Sequence, residues 1–146
     1  MDANSTMTER PKRRKLVEPA PEQGLIKIHD SQASTDAYHK VMSGAEEFSR
    51  ISANVPKALL RVIQSIHGDL NTISMDAFKC GNERDIRKKI LLLEDAYDGL
   101  LALFSEIEYL VRAKGMTVGQ ANNLLGILRD AHGQIGNWLA SLRKRS

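Results

Sequence analysis

Residues 86–111 read IRKKILLLEDAYDGLLALFSEIEYLV, and the spacing of their apolar side chains decides the fold. Ile86, Ile90, Leu93, Tyr97, Leu100, Phe104, Ile107 and Val111 follow one another in alternating steps of four and three. That spacing keeps them on one face of an α-helix for about seven turns, whereas a strand would need a period of two. A helix this long with a single apolar face is stable only when other elements cover that face, so the segment predicts helical partners on either side.

The partners are legible in both directions. Toward the N-terminus, Leu59, Val62, Ile63, Ile66, Leu70, Ile73 and Ala77 repeat by threes and fours and predict a helix from Pro56 to about Phe78. Cys80-Gly81-Asn82 is expected to end it through a left-handed glycine. Before it, Tyr38, Val41, Met42, Ala45, Phe48 and Ile51 form another stripe, opened by Ser34 or Thr35 as the cap and closed at Asn54-Val55-Pro56. Toward the C-terminus, Thr117-Val118-Gly119-Gln120 has the spacing of a capping box. The helix it opens carries Val118, Ala121, Leu125, Leu128, Ile135, Leu139 and Leu142, with Leu124, Ala131 and Trp138 widening the apolar face.

Short connections between long amphipathic helices force antiparallel neighbours, so the fold class predicted is all-α, an antiparallel up-down-up-down four-helix bundle over residues 34–146. Residues 1–33 hold three of the four prolines and the basic run Arg10-Pro11-Lys12-Arg13-Arg14-Lys15, and they read as a disordered arm. Within it Leu25-Ile26-Lys27-Ile28 alternates like a strand or a docking peptide. The second apolar edge at Leu124, Ala131 and Trp138, with Leu92 and Leu101 off the main stripe of the third helix, exceeds the need of one core and predicts a homo-oligomer joined through those residues.

The chemistry-bearing residues are sparse. One cysteine, Cys80, excludes an intrachain disulfide and, with no signal-peptide pattern, fits a reducing, cytoplasmic setting. No apolar run is long enough to span a membrane. His29, His39, His67 and His132 are scattered, and neither they nor the carboxylates Glu46, Glu47, Glu94, Asp95 and Asp98 form the Glu-x-x-His pattern of a bundle metal centre. No phosphate-binding glycine loop or nucleophile motif is present. An enzyme is therefore the weakest reading, and no cofactor or metal is expected.

Charge carries more. The net charge is +3 and the pI about 9.1; residues 1–37 hold six basic and six acidic groups, so the excess belongs to the bundle. Arg84, Arg87, Lys88 and Lys89 crowd the opening turns of the third helix, where cations oppose the helix dipole. Arg143, Lys144 and Arg145 close the fourth helix, and antiparallel topology brings these two groups to one end as a candidate phosphate-binding surface. Lys57 and Arg61, near Arg112 and Lys114, form a smaller patch at the other end. No aromatic residue is interleaved with the cations, so contact with a phosphate backbone is expected rather than stacking on bases.

Gly115-Met116-Thr117-Val118-Gly119-Gln120 and Ile135-Gly136-Asn137-Trp138-Leu139, followed by the basic tail, resemble the closing portion of the accessory variability determinant (Avd) proteins of diversity-generating retroelements. These belong to a bacterial four-helix-bundle family that includes proteins encoded in ribosomal-RNA intervening sequences. The Val55-Pro56-Lys57 entry to the second helix is similar as well. The resemblance implies a homopentamer with a basic surface that binds the retroelement's reverse transcriptase and its template RNA, or DNA, and supports mutagenic cDNA synthesis without catalytic activity of its own. It also implies that Gly136 allows close helix packing and that Trp138 anchors the core or a subunit interface. A protein-protein adaptor without a nucleic-acid role is the alternative.

Overall fold

The computed structural model describes residues 30–146, with side chains from Gln32 onward. Four helices follow one another: α1 Asp30–Ser52, α2 Leu60–Asn82, α3 Ile86–Arg112 and α4 Val118–Arg145, with a 3-10 turn at Lys57–Leu59 leading into α2. Each packs on its neighbours in sequence, and α1 also packs on α4, so the four close into a square with an antiparallel, up-down-up-down order. Two cross-links fix which termini share an end. Ser34 Oγ donates to the Ala77 carbonyl at 3.0 Å, and Arg143 pairs with Glu94 at 2.7 Å. The start of α1, the end of α2, the start of α3 and the end of α4 therefore lie together.

The core follows one rule in all four helices. Buried positions are Ser34, Ala37, Val41, Gly44, Phe48 and Ile51 in α1, and Ile63, Ile66, Leu70, Ile73, Ala77 and Cys80 in α2. In α3 they are Lys89, Leu93, Ala96, Leu100, Leu103, Ile107 and Leu110, and in α4 Ala121, Leu124, Leu128, Ala131, Ile135, Trp138 and Leu142. These series alternate threes and fours, the 3.5-residue period of coiled-coil packing, and Ala33, Ser74 and Leu139 beside them are buried as well. Small residues are placed where large ones cross. A Cβ on Gly44 would stand 2.6 Å from Leu128 Cδ2, and one on Gly136 would stand 3.2 Å from the Tyr97 ring.

This rule corrects several expectations. The central line of α3 runs through Ala96, Leu103 and Leu110, not through Ile90, Tyr97, Phe104 and Val111, which are half-buried on its flank. The reason is that α3 packs on α2 along one side and on α4 along the other, so the helix turns the line between its two apolar flanks inward. In α4 the same rotation makes Leu124, Ala131 and Trp138 the fully buried centre of the protomer, while Val118 is 63% exposed. These three residues are core, and their expected place as a surplus edge between subunits is overturned. Leu92 is half-buried against the same core, and Leu101 remains on the surface.

Helix ends differ from expectation too. α1 begins at Asp30 rather than at Ser34 or Thr35: Ser34 faces the core, where its hydroxyl serves α2 instead of its own helix. The expected arm boundary at residue 33 thus falls inside α1, and residues 1–29, with the basic run and Leu25–Ile28, lie outside the described residues. α2 continues through Gly81 to Asn82, no described glycine has a positive φ, and Glu83 in extended conformation ends the helix. The left-handed residue is instead Lys114, φ 63°, after α3. There Gly115 N–H donates to Leu110 at 2.8 Å and Lys114 N–H to Val111 at 3.0 Å, the paired bonds of a Schellman turn. Glycine follows the left-handed residue for space: a Cβ on Gly115 would meet Leu59 Cδ1 at 2.6 Å. The capping box at Thr117 forms as expected, with Thr117 Oγ1 accepting from Gln120 N–H at 3.1 Å and Gln120 Oε1 accepting from Thr117 N–H at 3.0 Å.

Candidate nucleic-acid interface

The two-helix corner formed by the end of α2 and the start of α3 is built around a buried lysine. Lys89, 8% exposed, donates from Nζ to the Cys80 carbonyl at 2.8 Å, and the Cys80 thiol lies 3.6 Å from the Lys89 carbonyl. The ammonium satisfies a carbonyl of the last turn of α2, where the dipole favours a cation. Lys89 is therefore a structural clasp and leaves the candidate surface; its core position in the 3.5-residue repeat, not its place in a basic run, determines its role.

Arg84, Arg87 and Lys88 are exposed around this clasp, and none has an ion-pair partner among the described residues. Their backbone is not without anions. Glu83 Oε2 accepts from the Arg84 and Asp85 N–H groups at 3.2 and 3.1 Å, and the N-cap Asp85 accepts from Arg87 N–H at 2.9 Å. The opposition between helix dipole and cations is thus partly relieved from within, by two carboxylates that accept from Arg87 N–H in the first turn of α3 and from the amides of Arg84 and Asp85 just before it.

The α4 tail comes to the same end. Lys144 and Arg145 are exposed, while Arg143 is held by Glu94. Because Arg143 is level with Glu94 and α4 runs antiparallel to α3, Lys144 stands five residues from Lys88, about 7–8 Å along the axis at 1.5 Å per residue. The two groups therefore adjoin at one end of the bundle. At the opposite end Lys57, Arg61 and Lys114 are exposed, and Arg112 pairs with Glu108 at 2.9 Å. Arg50 is held by Glu47, whose carboxyl it keeps below the usual range by hydrogen bonding.

Glu106 and Asp76 carry no signal in the basic clusters or metal patterns, and His132 shows its surroundings only in the fold. Glu106 stands in the α2–α3 seam, accepts from Ser65 Oγ at 2.9 Å, and has its pKa raised by burial and by Asp69. Asp76, further along the same seam, is raised by burial and then by Asp95. His132 stacks on Tyr97 with ring centroids 3.8 Å apart and meets the edge of Phe104, and burial lowers its pKa. The signal for Glu106 and His132 lies in the seven-residue lines Leu92–Gly99–Glu106 and Leu125–His132–Leu139, in which a titratable residue continues an apolar flank; Asp76 is on neither. His67 packs on Phe48 and His39 on Tyr38, and His29 is outside the described residues. Among the described residues no three His, Cys, Asp or Glu stand where they could hold a metal ion, and no helix is long and apolar enough to cross a membrane. No family model matches this chain, nor does any curated protein or solved structure.

Proposed function

We propose that this bundle is a non-catalytic subunit that binds the phosphate backbone of nucleic acid through its α2–α3 end and the neighbouring α4 tail. The observation that carries the reading is the exposure of Arg84, Arg87, Lys88 and Lys144 at one end with no ion-pair partner among the described residues. Charges so placed release counterions from a polyanion without first breaking an internal pair. Lys57 and Arg61 give a second, smaller station at the far end. In this reading the protein is the accessory subunit of a reverse-transcriptase ribonucleoprotein, as its resemblance to the retroelement accessory proteins implies, and its partners are the reverse transcriptase and template RNA. It acts in the cytoplasm as a homo-oligomer, with a pentamer the number the resemblance implies. Its subunit contacts fall to exposed side chains such as Leu101 and Tyr109 rather than to Trp138.

RNA binding measured against salt tests this. The observed affinity is expected to fall with a log-log slope steeper than about −3, and R84E/R87E/K88E to reduce that slope by about three contacts' worth. Binding that ignores both salt and charge reversal overturns the reading. Glu83 and Asp85 make the same end mixed in sign, which favours a second reading as an adaptor for a protein of mixed surface charge. A complex that survives nuclease treatment and the loss of RNA would select it.

A further inference from the structure

We infer that residues Leu25–Ile28 of this same chain dock into the apolar groove between the last turn of α2 and the opening turns of α3. The groove has a volume of about 520 Å3; Phe78, Leu91 and Leu92 line it, with Glu83 and Asp95 among the polar groups beside them. Phe78 is 52% exposed and Leu91 60% exposed, so two large apolar groups face solvent across one depression. Neither is needed by the core, and a polar residue would serve a free surface better.

Position and length select the occupant. Ser34 is level with Ala77, so Asp30, four residues earlier, stands level with Gly81, beside the groove's Asn82 and Glu83. Tyr38 of α1 already meets Phe78, ring centroids 6.1 Å apart, so α1 and the groove share a wall. To reach the far side of α2 the chain must cross one helix, with axes of packed helices about 8–10 Å apart. Counted back from Asp30 at about 3.4 Å per residue, Ile28 lies about 7 Å away and Ile26 about 14 Å, so the segment starts above α2 and its N-terminal half reaches the groove. Gly81 presents no side chain to climb over.

The chemistry agrees. Gly24-Leu25-Ile26-Lys27-Ile28 holds the densest apolar stretch of the first 29 residues. Docked as a strand, Ile26 and Ile28 would share one face, toward Phe78 and Leu91, and Lys27 the other; Lys79 and Lys88 of the groove balance Glu83 and Asp95, so apolar contact rather than charge carries the docking. A tether this short supplies an effective concentration in the millimolar range, so a modest contact suffices. Docking needs no nucleic acid. Its consequence for binding, which rests on the proposed function, is that the run Arg10–Lys15 is brought to the end that carries Arg84, Arg87 and Lys88.

Hydrogen exchange on the full chain, without RNA, tests the docking. The amides of residues 25–28 are expected to be protected, and Leu91→Asp and, independently, Ile26→Asp to lower that protection at least about tenfold while the bundle amides keep theirs. Protection should not change with protein concentration. Exchange at the free-chain rate in the unmodified protein overturns the inference, as does protection that survives both substitutions. Protection that rises with concentration, together with a larger mass by light scattering, assigns the groove to a second copy and overturns it equally. Because no RNA enters the measurement, failure of nucleic-acid binding leaves this result standing.

Discussion

The two ends of the bundle are finished by different means. At the α3–α4 end the chain closes on itself: the Schellman turn at Lys114–Gly115, buried Met116 and the Thr117–Gln120 box satisfy helix termini one after another. Arg50 and Arg112 there are paired with carboxylates on their own helices. At the α2–α3 end the interior includes Ser34, Cys80 and Lys89, while Phe78, Leu91 and a set of unpaired cations face outward. Lys57, Arg61 and Lys114 are exposed at the closed end too, so what separates the ends is how the turn between helices is built: one satisfies its termini with backbone and capping bonds, the other with buried polar side chains. The contrast teaches that sequence clusters of similar composition must be judged by what their backbone already satisfies.

The largest break in this contrast should come from Gly115→Ala. The added methyl would stand 2.6 Å from Leu59 and 3.3 Å from Leu110, and overpacking of this kind costs about 1–3 kcal/mol. Chemical denaturation should show a lower midpoint at unchanged m value. A neutral result would mean that the closed end is looser than its contacts imply. Thr117→Ala comes next: it removes the side-chain acceptor of Gln120 N–H and frees the reciprocal bond, a loss of about 1 kcal/mol. Thr117→Ser should recover most of it.

Smaller still is the effect of the seam between α2 and α3. Burial and Asp69 hold the Glu106 pKa above 4.5, so the folded state binds its proton more readily than the unfolded chain does. That contribution to stability is present below the unfolded pKa and is lost as pH rises through the folded one. His132 works in the opposite sense: its lowered pKa means stability falls as pH drops through the region at and below 6.5. Glu106→Gln keeps an acceptor for Ser65 and can donate to Asp69, so it should raise the unfolding free energy at neutral pH by under about 1 kcal/mol after solvent screening. The variant should also lose part of the decline that sets in above about pH 4.5; a steeper decline would refute the assignment.

How much of this was legible follows the range of each interaction. The helix count, the antiparallel order and the Thr117 box rest on residues three or four apart, and a sequence displays such spacing directly. The rotation of α3 and α4 does not. Two adjacent apolar lines, Tyr97–Phe104 and Ala96–Leu103, are equally good stripes until α2 and α4 are both in place to decide which faces the centre. Lys89 was misplaced for the same reason: it looks like one more cation of a basic run, and only the Cys80 carbonyl nearby shows it to be buried. Arg143 was read as available, and the Glu94 that holds it is 49 residues away. The candidate surface lost two members to tertiary contacts that no local pattern encodes.

The smallest stability effect belongs to the surface itself, and it is the sharpest test of the contrast. Neutralising Arg84, Arg87 and Lys88 together to Gln removes three exposed cations from the positive end of the α3 dipole, where each is slightly unfavourable. Glu83 and Asp85 keep their hydrogen bonds to the backbone of the turn, and Lys89 keeps its clasp on Cys80, so nothing that orders the corner is touched. The unfolding free energy should stay level or rise, a change within about 0.5 kcal/mol. RNA affinity at low salt should fall in the same protein. A variant that instead loses stability would show that these cations support the fold, and the two ends would then differ in composition only. A variant that keeps both stability and affinity would move the binding surface away from the α2–α3 end.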